Sequence, residues 1–529
     1  MLIMGNYTLI FATLLSLSFA SFADSKYINI VHTNDLHSYL TGHADGRGGY
    51  AKVKTIIDQL KSEALKRTDL QVGGVESLVL DGGDFGEGTS FFLVDEGVTS
   101  FKSLNELGID AAVIGNHDHM LGIDTLQTQI KKSREGYSKQ AKILSANMVI
   151  FRDTRMKGLV DSTAIFNIGG VSVSVIGLST PEPHFQYPIL PSFILPAIPV
   201  AKEISKLARQ NGAELVIALT HLGTKTDEKL VDKTEFIDVV VGVHSHDRYE
   251  QPLMIKNSDK RVIPVVQTGA HGLAVGSMLL KVNGPGDVEL VEYKLVDVKK
   301  ETSEDSTVAT FVSDATAKRN EYFDGKWDEV VGTSEIKLTG YENGNAVIEN
   351  SCWGKHQSRM AKEAMETDIG IHMANFQGVV KEAGPVTYGD LVDNYPHFRT
   401  YGDQGWNLAS FEADGKFIKA FVRALVNLPG QVGIDIDGIT WKELKLPGFI
   451  PYLGGRIYAY GFKVKGEKVE KDKRYSLAFP SEIGHVLELL VKDKVRYVFP
   501  EFNEDKSKPY WSVMEEYVKK NSPIKCLAD

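Results

Sequence analysis

The chain has 529 residues, of which 43% are hydrophobic and 24% charged. This is the composition of a globular protein, and the length exceeds what one hydrophobic core serves, so two domains are expected. A formal net charge of -10 excludes a general binder of nucleic acid or anionic membranes, which would carry a basic face.

The N-terminus opens with an apolar run, Thr8 to Ala20, followed by Ser21-Phe22-Ala23. Small residues flank the point where a signal peptidase would cut, although no Lys or Arg precedes the run. Residues 1–23 are therefore expected to be a signal peptide cleaved after Ala23, with a periplasmic or secreted product. No later stretch reaches the ~20 apolar residues of a membrane span.

From Tyr27 to about Val298, short β-rich runs alternate with amphipathic helical stretches. The expected strands are Ile28–His32, Ser77–Leu80, Ala111–Ile114, Ile143–Ala146, Val171–Gly177, Leu215–Thr220, Val239–Val243 and Val262–Thr268. Ala51–Arg67 and Ala201–Gln210 read as helices. Buried strands joined by helices imply layered α/β packing. Residues 299–326 are charged, without a strand signal, and read as a solvated helix or linker. A second α/β region runs from about Trp327 to the end. The two cysteines, Cys352 and Cys526, lie in no ligand-like cluster, and sequence alone does not tell whether they pair.

Five short blocks carry chemistry: HTNDLH, DGGDF, GNHD, ALTHLG and VGVHSH. They supply Asp35, His37, Asp84, Asn116, His221, His244 and His246, most of them just past an apolar strand. Loops at the carboxyl ends of strands are where open α/β sheets collect their sites. Asp35 and His37, two apart, point the same way if the backbone stays extended, so one cation can be gripped by both. Asp84, in a Gly-flanked turn, has two carboxylate oxygens to bridge two ions about 3.5–4 Å apart. Asn116 adds a neutral oxygen ligand. His244 and His246 serve one ion each if the turn between them splays the rings.

These blocks resemble the dinuclear metallophosphoesterases, and specifically the 5′-nucleotidase / UDP-sugar hydrolase / 2′,3′-cyclic phosphodiesterase family. The resemblance continues more loosely through DIGIHMANFQGVVKEAGPVTYGDLVDNYPHF at 368–398. It implies a four-layer α/β/β/α metallophosphoesterase sandwich at 24–298, a linker helix at 299–330 and a smaller α/β substrate-binding domain at 331–529. It further implies one metal held by Asp35, His37, Asp84 and His246, and another by Asp84, Asn116, His221 and His244. His117 is implied as the residue beside the leaving group. Imidazole, carboxylate and amide ligands without thiolate suit two divalent ions of Zn, Mn, Co or Fe.

Two departures from the family pattern matter. Nucleotidases of this family place an Asp three residues after the catalytic His to orient it, and here that position is Met120. Glu87 and Asp118 are the alternatives for the role. The family's Asn-Gly-Gly-x-Arg becomes Asn375-Phe376-Gln377-Gly378-Val379-Val380, which keeps the Asn and loses the Arg. Lys381 or Arg399 are left to supply the charge, though an ammonium lacks the bidentate fork of a guanidinium. Phe398, with Tyr401 or Trp406, is the candidate for stacking on a nucleobase. The reading is an exported hydrolase of phosphate esters, acting on nucleotides by metal-activated water, with a small-molecule substrate and no nucleic-acid partner. The alternatives are a hydrolase of a non-nucleotide ester, such as a thiosulfohydrolase, and a non-catalytic metal-binding interaction protein.

Overall fold

The computed structural model describes residues 25–527 except 152–155, 340, 343–344, 347–351, 374–377, 396–404, 428–432, 447–455, 492–497, 506 and 508. The expected signal peptide therefore lies outside the described residues.

Two six-stranded sheets dominate the first half. In the first sheet, Lys26–Thr33, Ser77–Asp81, Ala111–Val113 and Lys142–Leu144 run parallel in that order. A long antiparallel hairpin, Ala274–Gly284 with Asp287–Asp297, extends the Lys26–Thr33 edge. In the second sheet, Val171–Leu178, Leu215–Thr220, Val239–Val241 and Val262–Val266 are parallel. Antiparallel Thr163–Ile168 and Leu253–Lys256 form its two edges.

Side-chain alternation along the strands builds the layers. Ile28, Ile30, Leu78 and Leu80 of the first sheet meet Val173, Val175, Ile217 and Leu219 of the second in one buried cluster. The intervening residues Val31, Val79 and Ala112 point to the opposite face, against the helices Tyr50–Leu65, Val98–Leu107 and Gly122–Ser133. Val216, Ala218 and Val240 do the same against Ala197–Gln210 and Thr224–Lys233. Strands covered on both faces read as continuous apolar runs, which is why they are legible in sequence. The result is the α/β/β/α layering expected for this half.

The expected strands are all present, with Ile143–Ala146, Val239–Val243 and Val262–Thr268 stopping two residues early and Ala111–Ile114 one. The charged segment after residue 298 contains the helix Ser306–Tyr322, started by Asp305, whose carboxylate accepts from Val308 N. It is solvated on one face only: Val308 and Ala315 are buried in the core under the first sheet.

The second half has a five-stranded mixed sheet in the order Ile434–Asp437, Ile369–Met373, Arg474–Pro480, Leu408–Asp414, Asn503–Asp505. Helices Cys352–Ala364, Gly415–Leu425, Ser481–Val491 and Tyr510–Asn521 accompany it. Cys352 and Cys526 form a disulfide with their Cα atoms 4.9 Å apart. The core of this half also takes in Phe92 and Leu93 from the first half. Among the described residues no helix is long and apolar enough to cross a membrane.

Candidate metal centre

All seven expected ligands come together. Asp35, His37, Asp84 and Asn116 follow strands of the first sheet, and His221, His244 and His246 follow strands of the second. Asp35, His37 and His246 offer ligand atoms to one point, and Asp84, His221 and His244 to another. Asp84 Oδ2 lies 3.0 Å from His221 Nε2 and 3.9 Å from His37 Nε2, between the two groups. Asn116 Oδ1 is 3.1 Å from His221 Nε2. His37 Nε2 and His246 Nε2 face each other at 3.2 Å. Two imidazole nitrogens aimed at one another, beside carboxylates, form a donor set for a divalent cation.

The backbone reaches this convergence by a different route from the extended one expected. Asp35, His37, Asp84, His244 and His246 all have positive φ, between 46° and 83°. Left-handed backbone at non-glycine residues costs of order 1 kcal/mol or more each and clusters where function requires it. Glycine makes the close approaches possible. A Cβ on Gly83 would lie 2.6 Å from Val113 O, and one on Gly115 would lie 2.1 Å from Asp84 Oδ1.

The surrounding hydrogen bonds fix which ring nitrogen points inward. His37 Nδ1 is 2.6 Å from Glu87 O, and His221 Nδ1 is 2.9 Å from Gly82 O. A backbone carbonyl only accepts, so each Nδ1 carries a proton and each Nε2 is the nitrogen left to serve the site. Asn34, absent from the sequence-derived set although it stands within the HTNDLH block, also serves the site. It donates to Asp35 Oδ2 at 2.8 Å and is itself held by Gly269 and Thr268. Asp35 Oδ1 is buried without a hydrogen-bond partner, an expensive state for a carboxylate. A cation would satisfy it, so the residues present fit a metal.

Electrostatics concentrate here. Burial drives His37 and His246 down to about 4, the neutral form that binds metal. Burial also opposes protonation of His221, but Asp84 outweighs it and pushes the ring up to about 10. Asp84 works against its own burial too, and the imidazoles of His221 and His117 hold its carboxyl well below the usual range.

The two candidate acids for His117 separate cleanly. Glu87 Oε2 lies 2.8 Å from His117 Nδ1. Asp118 instead accepts three backbone N–H groups, from Asp84 (2.9 Å), Gly115 (2.8 Å) and Gly86 (2.8 Å). It pins two loops together and leaves the ring to Glu87. Burial opposes protonation of His117, yet Asp84 and the Glu87 hydrogen bond push it up to about 9.

Three further residues near the site lie beyond the sequence reading. Glu182 Oε1 is 3.5 Å from His244 Nε2. Phe185 lies within 6.3 Å of both the His117 and His244 rings, centroid to centroid. His271 packs on His37 and His246 and stacks on Tyr39 at 4.1 Å. Glu182 and His271 carry a signal of the kind used, since each is a ligand-type residue a few positions past a strand. The second-half candidates fare differently. Asn375, Phe398, Arg399 and Tyr401 lie outside the described residues. Trp406 is only 3% exposed and packs edge-on against Tyr395 in the core, so the expectation that it stacks on a base is replaced by a core role. Lys381 Nζ donates to the carbonyl of Glu382.

Residues 28–248 match the family model of the calcineurin-like phosphoesterases. More particularly, the chain is similar to 5′-nucleotidases. It is 26% identical over 369 residues to Protein 5NUC of Lutzomyia longipalpis, a match covering 63% of this chain and 61% of that relative's length. It is 24% identical over 558 residues to the 5′-nucleotidase of Vibrio cholerae, covering 95% and 92%. Among solved structures, a 5′-nucleotidase precursor from Thermus thermophilus superposes with a TM-score of 0.77 at 22% identity, covering 95% of this chain and 98% of that one. The sulfate thiohydrolase SoxB of Thermus thermophilus superposes with a TM-score of 0.71 at 18% identity, covering 95% of each. These two structures establish the shared fold across both halves.

Proposed function

We propose that this chain is an exported, metal-dependent phosphohydrolase of the 5′-nucleotidase type. The observation that carries the reading is the pair of ligand groups meeting at Asp84, with the His117–Glu87 pair beside them. Asp35, His37, Asp84 and His246 would hold one divalent cation, and Asp84, Asn116, His221 and His244 a second. Bound there, two cations would offset phosphoryl charge and supply an activated water. His117 stands next in sequence to Asn116, and its backbone N–H donates to Asp84 Oδ1 at 2.8 Å. The ring is thereby placed to protonate the leaving oxygen. Glu87 fixes the ring's tautomer and orientation, the task that the family resemblance assigns to an Asp where this chain has Met120. Asp118 keeps the Asp84 and Asn116 loops in register.

The mature protein assayed with Mn, Co or Zn tests this, against bis-p-nitrophenyl phosphate, AMP, UDP-glucose and cyclic nucleotides. Hydrolysis of AMP supports the nucleotidase reading. Turnover of the simple diester without any nucleotide would move the substrate to a non-nucleotide ester. The lost Arg after Asn375 and the fold shared with a thiohydrolase favour that second reading. Two bound metals with no turnover would leave a binding protein.

A further inference from the structure

We propose that Asp393, from the second half of the chain, is a positioning residue for the Glu87–His117 pair. The proposal rests on the phosphohydrolase reading and concerns how that site is held.

Glu87 sits in the loop running from Asp84 to the short helix Ser90–Val94. The start of this loop is pinned within the first half, by Asp118 to the N–H groups of Asp84 and Gly86. Its end is pinned from elsewhere. Ser90 N donates to Asp393 Oδ1 at 2.7 Å, across 303 positions of sequence. Phe92 and Leu93, on the same short helix, are 1% and 2% exposed within the second-half core. Thr89 Oγ1 donates to Ser38 O at 2.7 Å, tying the loop to the turn that carries His37. Only Gly88 and Thr89 separate Glu87 from the Ser90 anchor. Gly88 has no slack, since a Cβ there would lie 2.5 Å from His37 Cβ.

Asp393 is itself well fixed. It lies on the helix Tyr388–Asn394, which starts with a reciprocal cap between Thr387 and Asp390. Burial raises the pKa of its carboxyl, and the positive charge of Arg319, on the helix Ser306–Tyr322, works against that cost. The Arg319 guanidinium is sandwiched by aromatic rings, 3.8 Å from the Trp327 centroid and 4.7 Å from that of Phe91. Phe91 belongs to the same Ser90–Val94 helix. The second half thus grips this helix through a hydrogen bond, a charge and two buried side chains, and the helix hands its position to Glu87.

The test is a double-mutant cycle with the full mature protein and bis-p-nitrophenyl phosphate. Asp393→Ala should lower kcat about 10- to 100-fold with KM nearly unchanged, the loss expected when a catalytic group moves by about 1 Å. In a Glu87→Gln background the same change should cost less than about threefold, because the two act through one contact. Asp393→Asn keeps an acceptor for Ser90 N–H and should recover most of the lost kcat; if Asp393→Ala does not fold, the cycle is run with Asp393→Val, which fills the space without an acceptor. Hydrogen exchange of amides 86–92 should accelerate in Asp393→Ala. Additive losses, or a rise in KM with kcat intact, would overturn the proposal. If the wild type hydrolyses no phosphate ester, the functional reading falls separately, and unchanged exchange at 86–92 then overturns this one.

Discussion

Glu87 Oε2 stands 2.8 Å from His117 Nδ1, so an acid 30 positions upstream meets the ring where Met120 offers no carboxylate. The carboxylate accepts the hydrogen bond from Nδ1 and leaves Nε2 as the nitrogen that would carry a transferable proton.

Replacing Glu87 by Gln keeps the shape and removes the charge. We expect kcat to fall about 10- to 100-fold, less than the roughly 10²–10⁴-fold loss expected for His117→Ala. Steady-state kinetics on a phosphate ester measure both. An unchanged kcat in Glu87→Gln would remove it from the mechanism.

Metal content should follow the two ligand groups. His246→Ala should leave one tightly bound cation per chain, and Asp84→Asn should weaken both. Asn34→Ala touches no cation directly, but it frees Asp35 to rotate, so affinity should drop about 10- to 100-fold. Elemental analysis and calorimetric titration report stoichiometry and affinity. Two tight sites in His246→Ala would contradict the assignment.

Acid should destabilise the fold through His32. The side chain is buried, neither ring nitrogen has a hydrogen-bond partner, and burial lowers its pKa from 6.5 to about 3. A base with a depressed folded pKa takes up its proton preferentially when unfolded. Its contribution is therefore intact above pH 6.5 and is lost as pH falls toward 3, at about 1.4 kcal/mol per pH unit. Urea denaturation between pH 7 and 4 should show a shallower loss in His32→Phe than in wild type. Parallel slopes would assign the acid sensitivity to other groups.

Reducing the disulfide should loosen the second half. Cys352 opens a helix and Cys526 lies 174 positions further on, so the bond closes a long loop of the unfolded chain. Replacing both by Ser should cost about 2–5 kcal/mol, read as a lower denaturant midpoint for the second-half transition. Equal midpoints with and without reductant would argue against a stabilising role.

The parallel strands of the first half and the convergence of its candidate ligands are legible in sequence because most of these blocks follow an apolar run that two packed faces make continuous. The antiparallel strands Thr163–Ile168, Leu253–Lys256, Ala274–Gly284 and Asp287–Asp297 are absent from the expected set, and along Asp287–Asp297 charged residues recur and give no buried run. The choice between Glu87 and Asp118 is also beyond the reach of sequence. Both are acids close to a ligand, and only the folded loops decide that Asp118 turns to three backbone amides and Glu87 to the ring. Extended backbone is the wrong premise for Asp35-Leu36-His37, where left-handed turns bring the side chains together. Ser90 and Asp393 are too far apart in sequence for any local pattern to connect them.

The ligands divide between the two sheets, four following strands of the first and three following strands of the second. The cation pair proposed to sit among them would be a rivet through the sandwich's open edge. Chelation should then do more than silence chemistry: it should let the strand ends part at that edge, so that metal-free protein becomes vulnerable to proteases at the loops around residues 35, 84 and 245 while the buried middle of the sandwich stays closed.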